Sequence, residues 1–217
     1  MKLLPLLRDA WYFYSRHLGA IALLCLPLIL TESLARQAML WLIGPATREL
    51  QELLAGLMFY PLYSAALILF LDSRSRHLAT GSRRLLDQAL RCWLPLAILT
   101  GCCSALVMLG LSFMVLPGLW LMARLAFAEY LLVLRQKTPL EAMRESFRMT
   151  RPQTFRLLVL ELLVVVPLWA LEIWLAGRAV ATHPLLELAA DGVSGLLQLF
   201  ATVVFFRAWM LQDTATR

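Results

Sequence analysis

Seven ionisable side chains lie inside otherwise apolar sequence, and their types make them the first candidates for chemistry. A charged group costs free energy inside a hydrocarbon layer, so such residues mark ion pairs, proton relays or substrate sites. Four of them fall near the ends of their apolar stretches, from which a long side chain can reach water; these are Glu32, Glu172, Asp191 and Arg207. The other three are Arg124, Glu129 and Glu161.

Arg124 stands apart because it lies about seven residues, or ~10 Å along a helix, inside its apolar stretch. Glu129 and Glu161 are the carboxylates that could reach it. Glu129 is five residues further along the same helix and therefore off the i+3/i+4 face, so we favour Glu161 as the partner. The prediction is a buried ion pair that locks helices together, and the alternative is a substrate-anion or proton-relay site.

Catalytic and metal-binding signatures are missing from the sequence. It contains no G-x-x-x-x-G-K-[ST], G-x-S-x-G or H-E-x-x-H motif, and no carboxylate pair in a polar loop. The four cysteines show no C-x-x-C spacing, and we interpret them as small apolar packing residues; they are Cys25, Cys92, Cys102 and Cys103. The sequence therefore predicts no catalytic residues, no metal and no cofactor.

The elements that carry these residues are six stretches apolar enough to cross a membrane. The chain is 61% hydrophobic and only 16% charged, against about 25% charged in soluble domains. Each stretch approaches the ~20 helical residues that span a bilayer, and none alternates as a strand would. The predicted fold is all-α, with spans at about Leu18–Leu34, Leu53–Leu71, Leu94–Leu116, Gly118–Leu134, Leu157–Ala176 and Leu188–Leu211.

The third and fourth stretches are separated only by Leu116-Pro117-Gly118. Proline and glycine together end one helix and begin another, which predicts a tight hairpin at this point. The alternative is one kinked helix of about 41 residues, which would be ~60 Å long and twice the hydrocarbon thickness. The hairpin is therefore the favoured interpretation.

Basic residues are distributed unequally between the two sides of the predicted spans. Sixteen Lys and Arg residues fall on the side that holds both chain ends, three fall on the opposite side, and Arg124 lies within a span. Short loops rich in Lys and Arg stay in the cytoplasm. Both termini are therefore predicted to be cytoplasmic.

The chain is predicted to be a single membrane domain built from three loose repeats, about 1–71, 80–134 and 138–211. Each repeat is an amphipathic interfacial helix followed by a hairpin of two spans. The third amphipathic helix begins with a capping box at Thr138-Pro139-Leu140-Glu141, and its apolar stripe is Leu140, Met143 and Phe147.

The basic residues of these amphipathic segments suit anionic phospholipid headgroups on the cytoplasmic side better than nucleic acid, because apolar stripes and spans flank them. The candidates for headgroup contact are Arg83, Arg84, Arg144, Arg148 and Arg151. Membrane lipids are thus the predicted partners, other membrane proteins are possible partners, and no nucleic-acid partner is expected.

Two sequence runs resemble a known family: LPGLWLMARLAFAEYLLV at 116–133 and PLEAMRESFRMTRP at 139–152. They are similar to the YciC-like family of bacterial inner-membrane proteins and, more distantly, to the membrane domain of some glycerophosphodiester phosphodiesterases. The similarity covers about 40 residues. It implies a bacterial inner-membrane location and a helical fold, and it implies no reaction.

Two functions remain open from the sequence. The first is a non-enzymatic membrane protein that acts by helix packing and lipid contact, in envelope integrity or in support of other membrane proteins. The alternative is a small transporter or lipid-handling permease, which should show broken helices around a polar site near the middle of the membrane. A lipid-phosphodiester enzyme is disfavoured because catalytic residues are missing.

Overall fold

Long apolar runs form long helices throughout the part of the chain that the computed structural model describes, which is residues 3–44, 47–76, 81–179 and 184–216. A short 3-10 turn, Arg151–Gln153, joins the sixth helix to the seventh. The helices within those ranges are α1 (Leu3–Ile43), α2 (Arg48–Ser75), α3 (Ser82–Phe113), α4 (Val115–Leu125), α5 (Ala128–Arg135), α6 (Pro139–Thr150), α7 (Thr154–Ala179) and α8 (Pro184–Thr216). The described ranges contain no strand, so the all-α prediction is confirmed.

Within the described ranges, six helical segments are long and apolar enough to cross a membrane, as the sequence predicts. The fourth segment combines α4 with α5, and the fifth combines α6 with α7. Large apolar side chains remain open on the outside of the bundle, with Trp41 93% and Phe113 84% exposed. Contiguous apolar surface of this kind is rare on soluble monomers and suits contact with lipid.

Two of the three predicted amphipathic helices are continuous with the spans that follow them. The N-terminal segment and the first span form the single helix α1, and α3 likewise runs unbroken from Ser82 to Phe113. Only α6 is separated from its span, because Pro152 in the 3-10 turn cannot donate a backbone hydrogen bond. Of the three predicted amphipathic helices, α6 is thus the one that forms a helix separate from the apolar helix after it, and its interfacial position stays a prediction.

The turn between α3 and α4 lies at Met114, two residues before the predicted start of the Leu116-Pro117-Gly118 turn. Pro117 belongs to the first turn of α4. Backbone N–H groups in the first turn have no partner within the helix, so the missing N–H of proline costs no hydrogen bond there. Gly118 serves close packing: a Cβ added there would lie 2.5 Å from side-chain atoms of Leu111. A Cβ on Gly110 would meet the Gly118 Cα at 2.9 Å, so the two glycines bring α3 and α4 together.

The most enclosed parts of the bundle are the second half of α2 and the short helix α5. Residues 65–68 of α2 are fully buried, and five of the eight α5 residues are buried. Because α5 is surrounded by other helices, its polar side chains face the interior. Glu129 and Tyr130, the second and third residues of α5, are thereby placed inside the protein.

Polar side chains also join α1 to α8. The Tyr14 hydroxyl donates to the Leu196 carbonyl oxygen at 2.6 Å. Near the other end of this helix pair, the Asp191 carboxylate accepts hydrogen bonds from Ser33 and from Arg36, the latter at 3.2 Å. Asp191 is therefore a structural contact between helices.

Candidate functional site

The fourth apolar segment is broken at Ala126 and Phe127. Helix α4 ends at Leu125, α5 begins at Ala128, and the two residues between them form a turn. This sequence contains neither proline nor glycine, so local conformational preference does not explain the break. Its cause lies in a contact with α6.

Ser146 of α6 bridges the broken backbone. Its hydroxyl donates to the Arg124 carbonyl oxygen at 2.8 Å and accepts from the Phe127 N–H at 3.2 Å. The Thr150 hydroxyl also donates to the Arg124 carbonyl oxygen, at 3.3 Å. Ser146 is fully buried, and backbone groups at such depth need protein partners. Helix α6 therefore supplies the hydrogen bonds that the break removes.

Helix α6 turns its small residues toward this contact. Ala142, Ser146 and Thr150 recur every four residues and are fully buried, which lets α6 approach the broken helix closely. The predicted apolar stripe lies beside this face: Leu140 is 57% exposed, and Phe147 is half-buried. The predicted start of α6 is present, since the Thr138 N–H donates to Glu141 Oε2 at 3.2 Å.

Glu129 follows the break directly and is held by hydroxyl groups of α2. The Tyr60 hydroxyl donates to one carboxylate oxygen at 3.0 Å, and the Ser64 hydroxyl donates to the other at 2.7 Å. No basic side chain among the described residues forms an ion pair with Glu129. Hydroxyl groups within the bundle therefore supply the hydrogen bonds that this carboxylate would otherwise make with water.

Glu161 is a second buried carboxylate, 8% exposed, on α7. It lines the same cavity as Glu129, and it makes no hydrogen bond or ion pair with any residue that the structure describes. A buried carboxylate without a partner is costly. This side chain is therefore available to a group that enters the cavity.

The cavity that holds both carboxylates has a volume of about 570 Å³ and lies between α2, α3, α4, α5, α7 and α8. Most of its wall is apolar, and its tyrosines are Tyr60, Tyr63 and Tyr130. A second cavity, of about 780 Å³, opens between α2 and α3. Tyr60, Tyr63 and Glu129 line both, so Glu129 stands in the wall between the two cavities.

The predicted ion pair between Arg124 and Glu161 is not formed, and neither is a pair with Glu129. Within the described residues the Arg124 guanidinium donates to the Thr154 hydroxyl at 3.4 Å. It also lies 5.1 Å from the ring centre of Trp120 and 5.0 Å from that of Phe147. These aromatic faces stabilise the cation in place of a carboxylate.

The geometry of α7 explains this correction. Arg124 meets α7 at Thr154, in its first turn, whereas Glu161 is seven residues, or ~10 Å, further along that helix. Glu161 faces the cavity, which Arg124 does not line. The sequence placed Glu161 closer to the inner end of its span than Arg124, within about a turn and a half of it, but it could not give the direction in which each side chain points.

The five predicted headgroup contacts are exposed, as such a role requires: Arg83, Arg84, Arg144, Arg148 and Arg151. Glu145 is a neighbour that the sequence did not single out. It forms ion pairs with Arg135, at 2.7 Å, and with Lys137, and these join α6 to the end of α5.

The hydroxyl groups around Glu129 were also missed by the sequence analysis. Tyr60, Tyr63 and Ser64 follow one another at i, i+3 and i+4 in an apolar stretch, and that spacing places them on one helix face. A search for polar faces inside spans would have found them. Among the described residues, no group of three or more His, Cys, Asp or Glu side chains could hold a metal ion.

A scan for known protein families and searches of curated proteins and of solved structures found no match to this chain. The similarity to the YciC-like family therefore stays a prediction based on the two motifs.

Proposed function

We propose that the chain is a non-enzymatic protein of the bacterial inner membrane that crosses it six times, with both termini in the cytoplasm. The excess of basic residues on one side of the spans supports this orientation. The exposed arginines of α6 and of the start of α3 then contact anionic headgroups in the cytoplasmic leaflet. The two family-like motifs support the bacterial location.

The orientation is tested with single cysteines in a background that lacks the four native ones. Arg84→Cys and Arg144→Cys should resist an impermeant thiol reagent in intact cells, and Arg48→Cys should react with it. All three positions are exposed, so a difference in labelling reports sidedness. Labelling of Arg84→Cys or Arg144→Cys in sealed cells, with Arg48→Cys protected, would reverse the orientation.

Of the two roles that the sequence leaves open, we favour the small permease. The observation that carries it is the break at Ala126–Phe127, next to a carboxylate that faces two cavities. Discontinuous helices around a polar site are a recurrent feature of membrane transporters. A protein that acted only by helix packing would have no need for buried carboxylates that face cavities.

The chemistry of the cavity favours a small organic cation with an apolar body. Glu129 and Glu161 are carboxyl groups with no ion-pair partner among the described residues, and tyrosine rings and apolar side chains form most of the remaining wall. A cation in this cavity would compensate both carboxylates and lie against aromatic faces. The volume of about 570 Å³ falls within the range of about 300–1,000 Å³ for small-molecule sites.

Two probes of the same shape and opposite charge test this proposal: tetraphenylphosphonium and tetraphenylborate. The purified protein in lipid nanodiscs should bind the cation and not the anion. Glu161→Gln and Glu129→Gln should each weaken cation binding about tenfold, which corresponds to about 1.4 kcal/mol. Asp87→Asn is the matched control, because Asp87 is exposed and pairs with Arg91 outside the cavity.

Equal binding of the two probes, or wild-type affinity in the Glu129→Gln/Glu161→Gln double variant, would refute the acidic binding site. Uptake of the cation into proteoliposomes above the rates of protein-free liposomes and of the Glu129→Gln/Glu161→Gln variant, since the probe itself crosses bilayers slowly, then separates a permease from a protein that only binds. Binding without uptake would favour the role in envelope integrity or in support of other membrane proteins.

A further inference from the structure

Three arginines that are far apart in the sequence line one cavity away from the acidic site. Arg16 comes from α1, Arg74 from the end of α2 and Arg207 from α8, and the cavity between them has a volume of about 620 Å³. We propose that this cavity binds the phosphate-bearing headgroup of an anionic phospholipid. The five arginines expected from the sequence to contact headgroups all lie outside it.

The positive charge of this arginine cavity is not compensated by any side chain that the structure describes. No carboxylate lines the cavity, and none of the three arginines forms an ion pair within the part of the chain that the structure describes. The nearby Asp72 pairs with Arg76 instead, at 3.0 Å. Asp9 shares a smaller neighbouring cavity, of about 190 Å³, with Arg207 but makes no ion pair with it. An anion is the ligand that this arrangement lacks.

Two of the arginines lie over aromatic rings, and these contacts do not use the N–H donors of the guanidinium groups. The Arg207 guanidinium lies 5.4 Å from the ring centre of Phe13, and the Arg74 guanidinium lies 5.4 Å from that of Phe70. Arg16 donates to the Tyr12 hydroxyl at 2.9 Å. A guanidinium carries five N–H donors, so each arginine keeps donors for phosphate oxygens, which it can bind in pairs.

A lipid is favoured over a soluble phosphate because the wall is amphipathic. Leu71, Val203, Phe206 and Met210 line the same cavity as the arginines and offer apolar surface to a glycerol backbone or the start of an acyl chain. The arginines also lie on the basic side of the spans, where anionic lipids attract cations in the proposed orientation. The inference does not depend on the permease proposal.

The test measures binding of phosphatidylglycerol to the full chain in detergent micelles by native mass spectrometry. Removing one arginine near an anionic headgroup should weaken binding about fivefold, so Arg16→Gln/Arg74→Gln should lose about 25-fold. Arg8→Gln/Arg156→Gln removes the same charge from exposed positions that do not line the cavity, and it should stay within about twofold of wild type.

A second pair of variants and a competitor make the result decisive. Arg16→Lys/Arg74→Lys keeps the charge and should bind better than the glutamine pair, which separates lost charge from misfolding. Millimolar inorganic phosphate should not displace the lipid; displacement with the same arginine dependence would overturn the lipid assignment in favour of soluble phosphate. Equal losses in the Arg8→Gln/Arg156→Gln control, or wild-type binding in the Arg16→Gln/Arg74→Gln variant, would overturn the site itself.

Discussion

Replacing Ser146 with alanine should destabilise the protein through the backbone of another helix. The Ser146 hydroxyl accepts a hydrogen bond from the Phe127 N–H and donates one to the Arg124 carbonyl oxygen. Alanine keeps the small size of the side chain and its helix preference, so little packing changes. The loss should therefore come from backbone groups left without partners.

The structure sets the magnitude of this effect. In Ser146→Ala the buried Phe127 N–H loses its bond, which costs about 1–3 kcal/mol, whereas the Arg124 carbonyl oxygen keeps the hydrogen bond from Thr150. In Thr150→Ala that carbonyl keeps the bond from Ser146, so the cost should be below about 1 kcal/mol. The double variant leaves the carbonyl with neither bond. Its loss should exceed the sum of the single losses by about 1 kcal/mol or more.

The assay is the free energy of unfolding in mixed detergent micelles, followed by circular dichroism. Ser73→Ala is the matched control: Ser73 is also a buried helical serine, but its hydroxyl donates only to the Phe70 carbonyl oxygen in its own helix. That variant should change stability by less than about 0.5 kcal/mol. Strictly additive losses at Ser146 and Thr150, or equal losses at Ser146 and Ser73, would refute the reasoning.

Three other predictions follow from the geometry, and each is tested by measuring the free energy of unfolding. The losses of stability in Arg124→Leu and Glu161→Leu should add, within about 0.5 kcal/mol, in the double variant, because the two side chains do not meet. A double variant that is more stable than this sum predicts would contradict the structure. Gly118→Ala should cost about 1–3 kcal/mol by forcing α3 and α4 apart. Gly101→Ala should gain up to about 1 kcal/mol of stability, because the nearest atom to the added Cβ would be 3.4 Å away. A change of the same sign in both glycine variants would contradict this reasoning. Glu145→Gln should cost about 1–3 kcal/mol of stability, because it removes the ion pairs with Arg135 and Lys137. An unchanged free energy of unfolding would show that these ion pairs do not stabilise the protein.

The number and type of the spans could be predicted because apolarity is a local property of the chain. The predicted stretch Leu157–Ala176 lies within α7, and Leu188–Leu211 lies within α8. The boundaries were less accurate, since helices continue past the apolar residues until a breaker or a turn intervenes. In α1 nothing breaks the helix between the amphipathic segment and the span, so one helix covers both.

The break at Ala126–Phe127 could not be predicted, because its partner Ser146 lies 19 residues beyond Phe127 in the sequence. The prediction of Glu161 as the partner of Arg124 was also wrong, for a second reason. Hydropathy shows how deep a residue lies in a span but not the direction in which it points. The aromatic neighbours of Arg124 were visible in the sequence, with Trp120 one turn before it, yet only the structure shows the cation between two rings.

Helix α6 connects the broken helix to the proposed site through two adjacent residues. Ser146 fixes the backbone just before Glu129, and Glu145 fixes the other end of α5 through Arg135. Helix α5 is eight residues long and carries Glu129 in its first turn, so both of its ends are held by α6. Any displacement of α5 as a whole would therefore strain one of these two contacts. A permease that moves α5 would consequently have to move α6 as well. The exposed arginines of α6 are the proposed contacts with lipid headgroups, so this movement would couple ligand binding to lipid contact.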